Sequence, residues 1–206
     1  MKKIILAVIA IISLGLGFLV SSIVSETKPL DLESALWFGK QAKALPEFSL
    51  YDHDNRPLGN DRLSGKWSLI FFGFTHCPDV CPTSLQTLAE MMKAIGDKVM
   101  RETIQVIFVS VDPDRDSPAI LKSYVGYFDA GFIGATARIP DLEVLTNVLG
   151  IAHERDKTSE NQQDYSVSHS GAIVLINPAG EYAGLFRAPH NSRTMASDLS
   201  KIIARN

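Results

Sequence analysis

Apolar positions fall into blocks along this chain, and their spacing switches between continuous, alternating and helical. Ile4 to Val24 carries no charge at all. At about 1.5 Å rise per residue such a run spans roughly 30 Å as a helix, the thickness of a bilayer core. Residues 25–44 read as a polar-to-mixed tether with one apolar knot, Leu36-Trp37-Phe38, expected to pack on the domain rather than lie on the membrane surface. From Leu45 the pattern becomes that of one α/β domain, with no internal repeat. Pro46 to Leu50 predicts a strand, Asp52 to Pro57 a turn, and Leu58 opens the return strand. Trp67 to Phe74 is nearly all apolar, as a strand buried on both faces would be. Pro82 suits the first position of a helix that carries Leu85, Leu88 and Met92 inward.

Further on, Ile104 to Val111 predicts a second buried strand, and a helix opens at Pro118 behind a cap at Asp116 or Ser117. Another helix follows Pro140, with Asp141 as its cap, Leu142, Leu145 and Leu149 inward and Gly150 as its stop. His153 to Tyr165 reads as a loop or an irregular hairpin. Ala172–Ile176 and Tyr182–Phe186 form an antiparallel pair across Asn177-Pro178-Ala179-Gly180, and Ser192 to Ala204 closes the chain as an amphipathic helix. Strand, helix, strand, helix, hairpin, helix is the order of a thioredoxin-like fold. The expectation is an α/β domain over 45–206 with an N-terminal hairpin and an inserted strand–helix segment, Asp129 to Gly150. A transmembrane helix over 1–24 precedes it, joined by the tether.

Charge orients the picture. Lys2 and Lys3 precede the apolar run and Glu26 is the first charge after it, so the N-terminus is expected in the cytoplasm and the remainder outside. A cleaved signal peptide is the rival, but its apolar core is usually ~7–15 residues and Val20-Ser21-Ser22 is a poor cleavage site. The expected place is a bacterial-type inner membrane, single-pass, with the globular domain on the periplasmic side. A net charge of −3 over 206 residues excludes a strongly basic nucleic-acid binder.

Cys77 and Cys81 are the only cysteines, separated by Pro78-Asp79-Val80 at the junction of the first core strand and its helix. Thiols at a helix N-terminus are expected to have lowered pKa values, which serves both electron exchange and metal binding. A disulfide across so small a loop contributes little chain entropy, so a merely stapling bridge is disfavoured. Redox pairs of this fold usually have two intervening residues; three place both sulfurs on one side of a helical turn, able to converge on a third atom.

Two thiolates suit copper(I) or zinc, yet either metal wants a further ligand. His169, in Tyr165-Ser166-Val167-Ser168-His169-Ser170 ahead of the Ala172 strand, occupies the loop that faces the cysteines in a thioredoxin topology. That loop ordinarily carries a cis-proline, and this chain has no proline between Pro140 and Pro178. His76 abuts Cys77, with its side chain expected to point away. His53 and His153 read as solvated turn residues, and His190 as a cap or surface residue. Asp79 is either an acceptor behind the metal or a helix-start residue. Helix capping accounts for Asp116, while Asp112 and Asp114 are candidates for partner docking. A peroxidase of this fold would need a supporting arginine, and no arginine adjoins the cysteine motif.

Phe72-Gly73-Phe74-Thr75-His76-Cys77-Pro78-Asp79-Val80-Cys81-Pro82, Ser110-Val111-Asp112-Pro113-Asp114-Arg115-Asp116-Ser117-Pro118 and Tyr165-Ser166-Val167-Ser168-His169-Ser170 together resemble the Sco/SenC family. The resemblance covers Leu45 to Asn206 and extends to the anchor. It implies a copper metallochaperone that binds one copper ion per domain through Cys77, Cys81 and His169. The partner it implies is the copper-accepting subunit of cytochrome c oxidase, with a copper donor or thiol reductant upstream. The alternative role is thiol–disulfide reduction of the oxidase cysteines by the redox pair Cys77 and Cys81. Ser168 departs from the aspartate common before the family's histidine, removing a negative charge beside the expected ligand.

Overall fold

The structure is a computed structural model that describes residues 30–155, 165 and 167–205, with positions 2, 5, 12–15 and 17 nearer the N-terminus; positions 155 and 169 are described in their backbone alone. Two compact units emerge, Met1–Asp31 and Leu32–Asn206. Positions 2, 5, 12–15 and 17 of the first unit are helical. Among the described residues no helix is long and apolar enough to cross a membrane, and most of the expected anchor, 4–24, lies outside them.

The second unit is built on a nine-stranded mixed sheet among the described residues. Its centre is β5 (Trp67–Gly73), in which all seven residues are buried. β6 (Ile104–Ser110) lies parallel to it, register running from Trp67 opposite Ile104 to Gly73 opposite Ser110. Continuous apolar sequence is what such doubly covered strands require. β7 (Ile133–Thr136) extends the parallel set beyond β6, and β3 (Leu50–Asp52) with β4 (Pro57–Leu58) closes that edge. On the other side, the hairpin β10 (Ile173–Ile176) and β11 (Glu181–Phe186) runs antiparallel to β5.

Residues 35–44 fall in the stretch expected as tether, yet they are folded onto this edge. β1 (Ala35–Trp37) and β2 (Lys43–Ala44) both pair with β11. Gly184 makes the β1 pairing possible, because a Cβ there would sit 2.4 Å from the Leu36 carbonyl oxygen. Ser34 and Ala35 donate backbone N–H groups to the Asp198 carboxylate at 2.7 and 3.0 Å, and Glu33 does so at 3.0 Å. The sequence pattern had no means of flagging Asp198, a buried carboxylate on an apolar helix face.

Helices cover the sheet as the apolar spacing predicts. α1 (Asn60–Leu63) and α3 (Lys98–Glu102) are short additions, the latter capped by Asp97, which accepts from Val99 N at 2.8 Å. α2 (Val80–Ala94) buries Leu85 and Leu88, but Met91 rather than Met92 is the third inward residue. It begins two residues earlier than expected, so Pro82 is its third residue; the N–H it lacks is still one the first turn does not need. α4 (Pro118–Phe128) is capped by the Ser117 hydroxyl, α5 (Ile139–Leu149) stops at left-handed Gly150, and α6 (Ser192–Arg205) packs on α2. Asp141 does not cap α5; it lies in the first turn and pairs with Arg138 Nε at 3.1 Å.

This arrangement places three loops together. Because β5 and β6 are parallel and end in register at Gly73 and Ser110, the loops after them emerge side by side at the C-terminal edge. β10 runs the opposite way with Ile173 opposite Phe71, so the residues just before Ile173 arrive at that same edge.

Candidate metal centre

The β5–α2 loop carries both cysteines, and they occupy different environments. Both are free thiols; Cys77 is half-buried at the rim and Cys81 has no exposed surface. Cys77 N donates to the Phe74 carbonyl at 3.2 Å, curling the loop. Cys81 N, in the first turn of α2, points at the Cys77 sulfur at 3.4 Å. The Cys81 sulfur fills the space above Gly73, where a Cβ would lie 2.6 Å from it and 2.8 Å from Phe108 Cε2. Glycine is therefore required at that strand end so that sulfur and ring can occupy its missing side chain's place.

The expectation of two lowered thiol pKa values is reversed for Cys81. Burial pushes it well above the ordinary range, and the neighbouring Cys77 and Asp116 push the same way; a backbone hydrogen bond from Phe74 opposes them without prevailing. A desolvated thiol beside like charge keeps its proton until something positive arrives to replace it.

His169 ends β9 (Val167–His169), which pairs antiparallel with β8 (His153–Arg155). The two strands pair with His153 opposite His169 in register, while residues 156–164 of the segment expected as a loop or irregular hairpin lie outside the described residues. The His169 side chain, expected as third ligand, lies outside what is described. Its segment does approach the cysteine loop: a Cβ on Gly171, two residues further, would lie 4.0 Å from Val80 Cγ1, between Cys77 and Cys81 in sequence.

The remaining histidines are placed by hydrogen bonds rather than by solvent. His53 Nδ1 accepts from Gly134 N at 2.9 Å, fixing the β3–β4 turn to β7, so it is no solvated turn residue. His153 Nε2 lies 3.3 Å from the Thr146 hydroxyl; that hydroxyl's proton goes to the Leu142 carbonyl at 3.1 Å, so the imidazole is the donor. His190 donates through Nε2 to the Gly171 carbonyl at 2.8 Å, leaving Nδ1 buried without a partner among the described residues. Burial lowers the His190 pKa, against the opposing pull of that carbonyl. The cis peptide bond of this region is Ala188–Pro189, after β11 rather than before β10.

The acidic loop after β6 departs furthest from expectation. Asp116 is not the cap of α4. It is wholly buried and accepts from Thr75 N at 2.9 Å, from the Thr75 hydroxyl and from the Ser110 hydroxyl. His76, half-exposed, lies with Nδ1 3.2 Å from the Thr75 hydroxyl, on the solvent side of that bond. Asp112 is also wholly buried and so is no docking residue; it accepts from Arg115 Nε and from the Tyr165 hydroxyl. Asp114 stays exposed. Asp79 is a helix-start residue, exposed, accepting from the Thr83 hydroxyl at 3.4 Å.

An arginine absent from the sequence neighbourhood is present in space. The Arg115 guanidinium lies 5.7 Å from the Phe74 ring centroid and 3.7 Å from that of Tyr165. Tyr124 lies on α4. Its hydroxyl is buried without a hydrogen-bond partner among the described residues, and its pKa is raised by burial first, then by Cys81, Cys77 and Asp116. Arg115 lies within the 110–118 motif but Tyr124 lies in none, and the placement of both beside the cysteine loop is seen only in three dimensions.

Relatedness agrees with this geometry. A family model described as SCO1/SenC matches residues 39–204. The chain is 40% identical over 162 residues to the Stutzerimonas stutzeri "Putative copper-binding protein", covering 78% of this chain and 76% of that one. It is similar to the crystal structure of Arabidopsis thaliana ScoI with copper bound, with TM-score 0.72 and 29% identity over 78% of this chain and 98% of that one. Yeast Sco1 with copper bound gives TM-score 0.73 and 27% identity over 80% and 90% of the two chains.

Proposed function

The chain belongs to the SCO1/SenC family, and on that premise we propose that it is a membrane-anchored copper carrier for the assembly of cytochrome c oxidase. Cys77 and Cys81 supply two thiolates and His169 the third ligand. The apolar run 4–24 holds the domain at the outer face of a bacterial-type inner membrane. The acceptor is a copper-binding subunit of the oxidase, reached by ligand exchange at the exposed rim.

One observation carries the reading. A segment ending in Gly171 lies against Val80, so the chain two residues after His169 meets the turn that bears both thiols. The donor set fits the cargo, since soft thiolates select copper(I) while imidazole serves either valence. Cys81 offers a sulfur closed to solvent and Cys77 one at the rim. Such a pair holds an ion from beneath while leaving one side open to an incoming ligand. When bound, copper supplies the positive charge that allows the buried thiol to lose its proton.

The test is anaerobic copper titration of the full chain, wild type against His169→Ala, read by absorption and paramagnetic resonance. One copper per chain is expected, and His169→Ala should lower copper(II) affinity at least tenfold, the ~1.4 kcal/mol scale of one lost ligand contact. Unchanged affinity removes His169 from the site.

A second reading, thiol–disulfide reduction of the acceptor's cysteines, is favoured by the same asymmetry. The rim thiolate of Cys77 would attack the target disulfide, and Cys81 would then displace the target sulfur by closing a Cys77–Cys81 bond; a thiol reductant would restore the pair. Under that reading His169→Ala retains reductase activity, while Cys77→Ser and Cys81→Ser each abolish it.

A further inference from the structure

The loop after β6 touches both arms of the site. On one side Asp116 takes the backbone N–H and hydroxyl of Thr75, two residues before Cys77. On the other, Asp112 takes the hydroxyl of buried Tyr165, four residues before His169. Arg115 completes that second contact: it donates through Nε to Asp112 and through Nη1 to the Tyr165 carbonyl at 3.1 Å. Its guanidinium is stacked on the Tyr165 ring and also faces Phe74 of the cysteine loop. Ser110 joins the two sides, donating its hydroxyl to Asp116 and accepting Asp112 N at 3.0 Å. The loop itself is closed by Asp116 N to the Asp112 carbonyl at 3.0 Å.

From this we infer that residues 112–116 form a two-sided clip that sets the spacing between the cysteine arm and the histidine arm, with Asp112, Arg115 and Tyr165 as positioning residues for His169. The inference deepens the copper-carrier reading and rests on it for its purpose, though not for its geometry. The sheet alone does not fix the second arm. Among the described residues β9 pairs with β8 alone, in a sheet separate from the nine-stranded one, and Tyr165 ties the chain just before that strand to the loop beside the strand ends that carry the cysteines. Buried carboxylates are retained only when their lone pairs are taken up, and here Thr75 of one arm and Tyr165 of the other are among the groups that take them up. A clip made of side chains on a third loop can be altered without touching any expected ligand.

The experiment uses the full chain with Tyr165→Phe, which keeps the ring and its stacking and removes the hydroxyl, and Arg115→Lys, which keeps the charge and loses the fork. Asp116→Asn serves as the converse. Amide hydrogen exchange is measured on the copper-free protein, and copper(I) stoichiometry and copper(II) spectra on the loaded one. Tyr165→Phe should speed exchange at Val167–Ala172 roughly tenfold, the scale of one lost hydrogen bond to a charged group, while β5 and α2 keep wild-type rates. It should still bind one copper(I), with a copper(II) spectrum moved toward that of His169→Ala, and Arg115→Lys should do the same. Asp116→Asn should instead speed exchange at Thr75–Cys77 and spare Val167–Ala172. Wild-type exchange at Val167–Ala172 in both Tyr165→Phe and Arg115→Lys overturns the clip, as does acceleration spread evenly over the domain, which marks a merely structural role. If the wild-type chain takes up no copper, the carrier reading fails, and the crosswise exchange pattern still decides whether the clip exists.

Discussion

The cysteine arm and the histidine arm are held by different physics. The first grows out of a strand with seven buried residues, and its inner sulfur sits in a place vacated by a glycine. The second is a three-residue strand in a separate two-stranded sheet; its Val167 is buried, and polar contacts add directional ties to the rest. Among those contacts are Tyr165 to Asp112, Arg115 Nη1 to the Tyr165 carbonyl, Ser170 N to the Ala152 carbonyl at 3.0 Å, and Gly171 to His190. Packing is non-directional and unforgiving of volume, while hydrogen bonds are directional and can be broken singly. A carrier benefits from that division: sulfurs held in one geometry, and a third donor whose engagement can be adjusted.

The heaviest blow to this comparison falls on packing. Gly73→Ala puts a methyl group 2.6 Å from the Cys81 sulfur and 2.8 Å from the Phe108 ring, so one of them must leave its seat. Overpacking of this kind typically costs about 1–3 kcal/mol, read as a lowered unfolding midpoint in urea. Copper(I) binding should fall with it, because the displaced sulfur belongs to the expected site. Wild-type affinity in a folded Gly73→Ala chain would show that the seat of Cys81 does not matter.

Next comes Asp116→Ala, which leaves the part-buried Thr75 N–H and the Thr75 and Ser110 hydroxyls without their acceptor while removing no expected ligand. A stranded buried donor such as the Ser110 hydroxyl costs about 1–3 kcal/mol, and the two hydroxyls can turn to other acceptors. The loop before Cys77 should loosen and copper(I) affinity drop several-fold, with less effect than Gly73→Ala on the unfolding midpoint. An equal loss of copper(II) spectral character and copper(I) affinity would blur the two arms into one.

How much of this was legible beforehand follows the same division. The buried strands, the helix faces, the hairpin and the inserted β7–α5 segment could be read because apolar spacing reports packing directly. Cys77 and Cys81 were visible as the only two cysteines, at a strand–helix junction the spacing predicts. The clip was not. Asp112 and Asp116 have the composition of a surface turn, and nothing local says that Tyr165 and Thr75 arrive to occupy them. Asp198 was hidden for the same reason, its partners lying in a segment that reads as tether. Polar residues are ambiguous in one dimension because their burial depends on partners supplied from elsewhere.

Asp198 supplies the smallest expected effect on copper and so the sharpest control. It too is a buried carboxylate that ties a distant segment, but the segment is residues 33–35 at the β1 edge, not either arm of the site. Burial alone raises its pKa; the N–H groups of Ser34, Ala35 and Glu33 and the Ser34 hydroxyl outweigh that and hold it below the ordinary carboxylate value. In the unfolded chain the same group takes up its proton near the ordinary value, so over the interval between the two the unfolded state binds more protons. Stability therefore rises with pH there: the Asp198 contribution is complete above the ordinary carboxylate range and is lost as pH falls through the lower folded value. Urea unfolding from about pH 6 to about pH 2.5 should show a shallower acid-side slope for Asp198→Asn than for wild type. Copper titration at neutral pH should not distinguish the two proteins. A copper defect in folded Asp198→Asn as large as that of Asp116→Ala would mean that any buried carboxylate supports the site through general stability, and the distinction between a packed arm and a strapped one would lose its content.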